Sequence, residues 1–213
     1  MSVCNLKYNV IFIHVPKTAG TSMEHNEFLG GGGHKNIRFY KRIFLLAFSG
    51  LPAWEDVFKF GFVRNPYDRL ASAYTANCAR RGSQPLGEYG ILNYYNSTKE
   101  DFCRFVVEQE QHLRNGDWTH FQPQHHFLCI FPASNDIGKD ERPEVDFVGR
   151  FENLYEDWTK ACNIIGEDSD LRTIRHWGKN EFTESYDSLY TPEIRELVGD
   201  IYKKDFEVFD YEP

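Results

Sequence analysis

The sequence lacks the features that place a chain in a membrane or on a disulfide framework. Residues 1–9 contain no apolar core of a secretory signal, and no stretch reaches the roughly 20 apolar residues of a membrane-spanning helix. The five cysteines are odd in number, widely spaced and without a CxxC pair, so they indicate neither a disulfide framework nor a zinc site. These absences predict a cytoplasmic protein without a membrane partner.

An excess of positive charge is also absent. The chain carries 24 lysines and arginines against 32 aspartates and glutamates, a formal net charge of −8. Nucleic-acid binding needs a broad basic surface, so the sequence predicts no nucleic-acid partner and only local binding of anions. Aromatic residues make up 16% of the 213 residues, as is typical of a packed core. The length predicts a single domain that spans residues 1–213.

The stretch VIFIHVPKTAGTSM, residues 10–23, organises the chain. Its apolar, β-branched start predicts a strand buried on both faces, ended by Pro16. A turn of small and hydroxyl residues follows, then a helix-compatible segment. Such a loop presents free backbone N–H groups, Gly20 lets a ligand approach closely, and Lys17 adds positive charge. We therefore predict a phosphate or sulfate site formed by Lys17, Thr18, Ala19, Gly20, Thr21 and Ser22.

A second junction between strand and helix lies within residues 57–80. Residues 57–63 predict a buried strand, and Asn65 with Pro66 predicts the start of a helix, as N-cap and first helical residue. Arg64 then lies at the carboxyl end of a strand, where open parallel sheets bind ligands. Ser72 lies in the second turn of the helix. The structural alternative for Arg64 is a surface salt bridge at a capped helix.

The remaining elements predict an α/β fold. Residues 145–149 read as a third buried strand followed by an acidic helix start, Ser97 predicts the cap of a further helix, and Thr191 opens the last one. Three strands that alternate with helices predict a three-layer, P-loop-like fold in which helices flank a central, mainly parallel sheet.

Three histidines, His120, His125 and His126, lie close together and raise the question of a metal site. No carboxylate lies within this cluster, and Pro123 interrupts the helical spacing that would aim two histidines at one ion. The sequence therefore predicts no metal site.

The loop differs from a Walker loop, because Lys17 opens it and no glycine precedes the lysine. PKTAGTS after an apolar strand resembles the 5′-phosphosulfate loop of sulfotransferases, and FVRNPYDRLASAY at 62–74 resembles their 3′-phosphate segment. Stretches at 120–124, 145–158 and 190–211 are similar to sulfotransferase family 2, the carbohydrate branch that includes heparan sulfate 2-O- and chondroitin sulfotransferases. The resemblance covers nearly the whole chain.

This resemblance implies an enzyme that moves the sulfuryl group of 3′-phosphoadenosine 5′-phosphosulfate to a hydroxyl by in-line displacement, without a metal. The acceptor is a carbohydrate or small alcohol. Lys17 would stabilise the leaving group, while Arg64 and Ser72 would hold the 3′-phosphate. Two alternatives remain: a P-loop-type nucleotide or sugar kinase, which needs a Walker loop and a carboxylate for magnesium, and a non-catalytic binder of nucleotides or glycans.

Three residues are candidates for the general base that takes the proton of the acceptor hydroxyl: His34, His120 and Glu24. A neutral imidazole suits this task, and related enzymes place their catalytic histidine in the interval that contains His34, so His34 is favoured. His14, inside the strand, is expected to be a core residue. The resemblance makes residues 120–124 a border of the acceptor cleft. Candidate acceptor contacts are Glu24, His34, His120 and Gln124. Acceptor identity and oligomeric state are not indicated.

Overall fold

The computed structural model describes residues 7–23, 29, 33–46, 52–79, 95–130, 142–167 and 185–213. The chain forms two compact units, each made of two segments. The first unit comprises residues 1–63 and 124–176, and the second comprises residues 64–123 and 177–213. The single domain that the length predicts stays a prediction.

A parallel sheet of three strands lies in the first unit. Its order is β1-β2-β3, with β1 at Val10–Ile13, β2 at Phe58–Val63 and β3 at Phe147–Arg150. Strand β1 is buried along its length, as a strand covered on both faces must be. Parallel register aligns the last residues of β2 and β3, so the carboxyl ends of the strands share one edge. The predicted α/β class and the three predicted strands are confirmed.

Large aromatic side chains fill the core of the first unit. Helix α7, Leu154–Ile165, packs against β3 and places Trp158 beside Phe60 and Phe62 of the sheet. Asp157 accepts a hydrogen bond from the Arg150 backbone at 2.9 Å, which ties the first turn of α7 to the end of β3. The other helices of this unit are α1 at Gly20–Met23, α2 at Ile37–Leu46 and α6 at His125–Leu128.

The described part of the second unit contains helices and no strand. Its helices are α3 at Pro66–Ala79, α4 at Lys99–Glu108, α5 at Glu110–Asn115, α8 at Pro192–Ile201 and α9 at Lys203–Phe209. Aromatic rings from α3 and α4 share one buried cluster with Ile194 and Val198 of α8. Within the described ranges, no helix combines the length and apolar character that a membrane crossing needs.

Two of the helix caps that the sequence predicts are confirmed, and a third is wrong. Asn65 accepts from the backbone N–H of Tyr67 at 3.0 Å, and Thr191 caps α8, both as predicted. Helix α4 is capped by Thr98 and not by Ser97. The reason is Asp101, whose carboxylate accepts two hydrogen bonds from Asn96 and fixes the turn so that its own N–H donates to the Thr98 hydroxyl.

Candidate functional site

The loop that follows β1 has an unusual backbone. Lys17 has a φ of 70° and Ala19 a φ of 67°, so two residues with side chains adopt the left-handed conformation within one turn. This conformation is costly for residues other than glycine and is concentrated at functional sites. Left-handed residues in a tight turn also direct backbone N–H groups toward a common side, where an anion can accept them.

The loop is held by its own short contacts. Thr18 is buried, and its hydroxyl donates to the Val15 carbonyl at 2.8 Å, so this side chain supports the turn. The N–H of Ser22 donates to the Ala19 carbonyl at 2.9 Å where α1 begins. Lys17 is half-buried at the turn. The observed loop is shorter than the predicted one at residues 17–22, because Gly20 already belongs to α1.

His34 contacts His14, the residue directly after β1. His34 Nδ1 lies 3.1 Å from the His14 carbonyl oxygen, and the two rings meet edge to face with centroids 4.3 Å apart. A carbonyl only accepts, so this hydrogen bond requires the proton of neutral His34 on Nδ1 and leaves the lone pair on Nε2. We refer to His14 and His34 as the histidine pair.

Gly20 packs directly against His14 of the histidine pair. A Cβ atom at Gly20 would collide with the imidazole ring of His14, which occupies that space. His14 is 6% exposed, and its ring stacks on Phe12 with the ring centroids 5.9 Å apart. The first helical residue after the loop and the predicted base thus share one neighbour, His14.

The second unit contains the predicted 3′-phosphate residues. Arg64 follows β2 directly and forms a two-point ion pair with Asp68, with Nε to Oδ2 at 2.7 Å and Nη2 to Oδ1 at 2.8 Å. The predicted alternative, a salt bridge, is therefore present, but the Arg64 side chain is 10% exposed and does not lie on the surface. Ser72 is buried in α3.

The remaining candidates are distributed over both units. Gln124 is fully buried in the first unit, and His120 is half-buried in the second. Glu24 and the side chain of Thr21 lie outside the described residues. The structure therefore brings together His34 and the loop after β1, while the roles of the individual residues stay predictions.

Sequence reasoning missed three residues with clear contacts at these sites. His14 is buried, as the sequence predicts, but the contact of its carbonyl with His34 was not expected. Asp68 lies four residues after Arg64, in the first turn of the helix that Asn65 begins, and this spacing is a usable signal for an ion pair. Arg69 bonds to backbone carbonyls 51 and 53 residues away, and no sequence signal identifies such partners.

A metal site was not predicted. In the stretches that the structure describes, no group of three or more His, Cys, Asp or Glu side chains could hold an ion. His125 and His126 contact one another with ring centroids 4.6 Å apart. A reaction without a metal stays a prediction.

Comparison with known proteins identifies the family. A model of the sulfotransferase family matches residues 2–212. The chain belongs to the sulfotransferase family. The chain is 26% identical over 170 residues to carbohydrate sulfotransferase 9 of Homo sapiens, an alignment that covers 70% of this chain and 36% of that relative. The chain thus spans a little over a third of the length of the relative. No solved structure gives a significant match.

The match confirms the family that the two sequence motifs predict. In this chain, PKTAGTS forms the strained turn after β1 and the start of α1, and FVRNPYDRLASAY runs from the end of β2 into α3. Both motifs therefore begin at the carboxyl end of a parallel strand, the position where open α/β sheets bind ligands.

Proposed function

We propose that this sulfotransferase moves the sulfuryl group of 3′-phosphoadenosine 5′-phosphosulfate to a hydroxyl of a carbohydrate. The observation that carries the proposal is the strained turn with Lys17 directly after β1, in a chain that matches the family along its length. The carbohydrate acceptor rests on the similarity to carbohydrate sulfotransferase 9. The donor supplies an activated sulfuryl group whose departure leaves adenosine 3′,5′-bisphosphate.

The turn fits an anionic donor. Backbone N–H groups at Thr18 and Ala19 lie between left-handed residues, and Lys17 adds a full positive charge. In the proposed reaction, the ammonium of Lys17 stabilises the oxygen that bridges sulfur and the 5′-phosphate, where negative charge grows as the bond breaks. The hydroxyl of Thr18 is engaged with Val15, so we assign its contribution to the backbone N–H.

Arg64 and Ser72 are proposed to bind the 3′-phosphate. Arginine binds phosphate through charge-assisted hydrogen bonds, and Asp68 already fixes the plane of this guanidinium. Ser72 lies one helical turn beyond Asp68 on α3 and offers a hydroxyl. Together they would make the site bind adenosine 3′,5′-bisphosphate more tightly than nucleotides without a 3′-phosphate.

His34 is proposed as the general base. The contact with the His14 carbonyl keeps the proton on Nδ1, so Nε2 accepts the proton of the acceptor hydroxyl. The acceptor oxygen then forms the new bond to sulfur in line with the bridging oxygen, which leaves with its electron pair. His120 and Glu24 remain the alternatives for this role, and His120 and Gln124 the further candidate contacts with the acceptor.

A donor-dependent screen tests the proposal. The full chain is incubated with 3′-phosphoadenosine 5′-phosphosulfate and either unsulfated chondroitin, desulfated heparan sulfate or small alcohols, and the products are analysed by mass spectrometry for added sulfate. We expect sulfate on a glycan in the wild type and loss of product in Lys17→Ala. Binding of adenosine 3′,5′-bisphosphate without any sulfated product would instead support the non-catalytic alternative.

A further inference from the structure

Three consecutive backbone carbonyls, those of residues 120–122, are each held by a buried side chain of the second unit. Arg69 donates from Nη1 to the His120 carbonyl at 3.2 Å and from Nη2 to the Gln122 carbonyl at 2.7 Å. The hydroxyl of Tyr202 donates to the carbonyl between them, that of Phe121, at 2.7 Å. We call residues 120–122 the clamped segment.

The amide groups of the clamped segment are held as well. The N–H groups of Phe121 and Gln122 both donate to the Trp118 carbonyl, at 2.8 and 3.0 Å. The side chain of Gln122 donates to the Gly116 carbonyl at 2.8 Å. Donors and acceptors on the backbone are thus used together, which leaves this segment little freedom to move.

Arg69 is an unusual residue to bury. It is 1% exposed, its guanidinium lies over the ring of Tyr202 at 5.6 Å, and its Nε has no acceptor among the described residues. Burial lowers the pKa of this guanidinium, while Tyr202 and the fully buried Asp205 act in the opposite direction. A buried charge is costly unless its partners are fixed, so the carbonyls of the clamped segment have a strong preference for one position.

We propose that Arg69 is a positioning residue for the acceptor. From α3, the helix that also contains Ser72, it fixes the backbone that presents His120. Its two Nη groups lie in one plane at a fixed separation, so they set the carbonyls of residues 120 and 122 at the same time. This inference rests on the proposed function, in which His120 borders the acceptor. A displacement of about 1 Å in such a segment can cost about 10²-fold in kcat/KM.

The first test does not depend on activity. Arg69→Lys keeps the charge but offers a single ammonium, which cannot bond to both carbonyls in the arginine geometry. In the full chain, amide hydrogen exchange followed by mass spectrometry should show about 10-fold faster exchange in peptides that cover residues 118–122. Peptides from β1 and β2 should exchange as in the wild type.

The second test separates positioning from general damage. With unsulfated chondroitin as acceptor, Arg69→Lys should raise the acceptor KM by about 10-fold and change kcat less. The affinity for adenosine 3′,5′-bisphosphate, measured by calorimetry, should stay within about 2-fold of the wild type. A purely structural role would leave the acceptor KM unchanged in the folded fraction.

A matched pair of tyrosine variants provides the control. Tyr202→Phe and Tyr74→Phe each remove a buried hydroxyl that donates to a backbone carbonyl, but the partner of Tyr74 is Asn96, which lies outside the clamped segment. We expect Tyr202→Phe to reproduce the exchange and KM effects more weakly and Tyr74→Phe to show neither. Tyr202→Phe also keeps the test available if Arg69→Lys does not fold.

Each outcome decides a separate statement. Wild-type exchange at 118–122 in both Arg69→Lys and Tyr202→Phe overturns the clamp. Faster exchange with an unchanged acceptor KM overturns the positioning role. A wild-type chain that neither binds adenosine 3′,5′-bisphosphate nor sulfates chondroitin overturns the proposed function and the positioning role with it, while the exchange result still decides the clamp.

Discussion

The guanidinium of Arg64 and the carboxylate of Asp68, which lies four residues later in the first turn of α3, meet in a two-point ion pair at 2.7 and 2.8 Å. The two side chains are 10% and 18% exposed, so salt screens this pair less than a surface pair. The plane of the guanidinium is therefore set by the protein before any phosphate binds, which reduces the ordering that binding requires.

Arg64→Ala should weaken the binding of adenosine 3′,5′-bisphosphate by roughly 10- to 100-fold, because a charge-assisted hydrogen bond to the 3′-phosphate is lost. Adenosine 5′-monophosphate should bind nearly as well as before. Calorimetry with both nucleotides measures this difference. Arg104→Ala, which removes an exposed arginine paired with Asp101, is the matched control and should change neither affinity. Equal losses for both nucleotides would assign Arg64 a structural role.

Lys17→Ala should lower kcat by about 10²-fold, the usual effect of removing one preorganised donor from a developing negative charge. Donor affinity should fall less, because the backbone of the turn still binds the anion. Steady-state kinetics with varied donor concentration separates the two effects. Lys203→Ala, at an exposed position of α9, is the control. Near-normal turnover in Lys17→Ala would contradict its assignment.

His34→Ala should reduce turnover by roughly 10² to 10⁴-fold and remove the acidic limb of the pH–rate profile, since the base is gone. His34→Asn is the sharper variant, because its amide can still donate to the His14 carbonyl but cannot accept a proton at neutral pH. We expect both variants to lose activity alike. If His34→Ala keeps the acidic limb and His120→Ala loses it, the base is His120.

Gly20→Ala should destabilise the chain by about 1 to 3 kcal/mol, because its methyl group displaces the buried ring of His14. It should also change the pH–rate profile, since His14 contacts His34. Gly166→Ala is the control: Gly166 has a φ of 83° and open space around it, so we expect only a strain cost of about 1 to 2 kcal/mol. Denaturant unfolding and pH–rate profiles of both variants provide the measurements. An unchanged pH–rate profile in Gly20→Ala would show that His14 has no role in catalysis.

Alkaline conditions should destabilise the second unit through its buried tyrosines. Burial raises the pKa of Tyr190 and of Tyr202, so the folded state binds these protons more tightly than the unfolded chain. The resulting stability is present below the unfolded pKa of about 10 and is lost as the pH rises toward the folded values. Denaturant midpoints at rising pH should fall less steeply for Tyr202→Phe than for the wild type. Tyr155→Phe, at a residue 67% exposed, should leave the slope unchanged.

The sheet and the start of α3 could be predicted because their signals are local. Continuous apolar runs identify strands buried on both faces, and Asn65 with Pro66 fixes the start of a helix within the chain itself. The prediction of Ser97 as a cap was wrong, because Ser97 and Thr98 both offer a hydroxyl and the residue type does not decide between them. The carboxylate of Asp101 decided it through contacts with Asn96.

The contacts around the candidate base and the clamped segment could not be predicted for a different reason. His34 and Arg69 bond to backbone carbonyls, and every residue has a carbonyl, so no residue type indicates the partner. The sequence likewise does not indicate which side chain packs against Gly20. Its small size suggested close approach of a ligand, whereas the structure adds a second requirement, the ring of His14.

The parallel register of the sheet also has a consequence for biosynthesis. Strand β2 pairs with β1 early in the chain, but β3 comes much later: the N–H of Lys59 bonds to Asp146, 87 residues further on. At the usual pace of translation, about 5 to 20 residues per second, the ribosome needs roughly 4 to 17 s to supply that distance. During this interval the backbone edge of β2 that later pairs with β3 is unpaired on the nascent chain and open to aggregation. The yield of folded protein should therefore depend on how well chaperones shield that edge until β3 emerges.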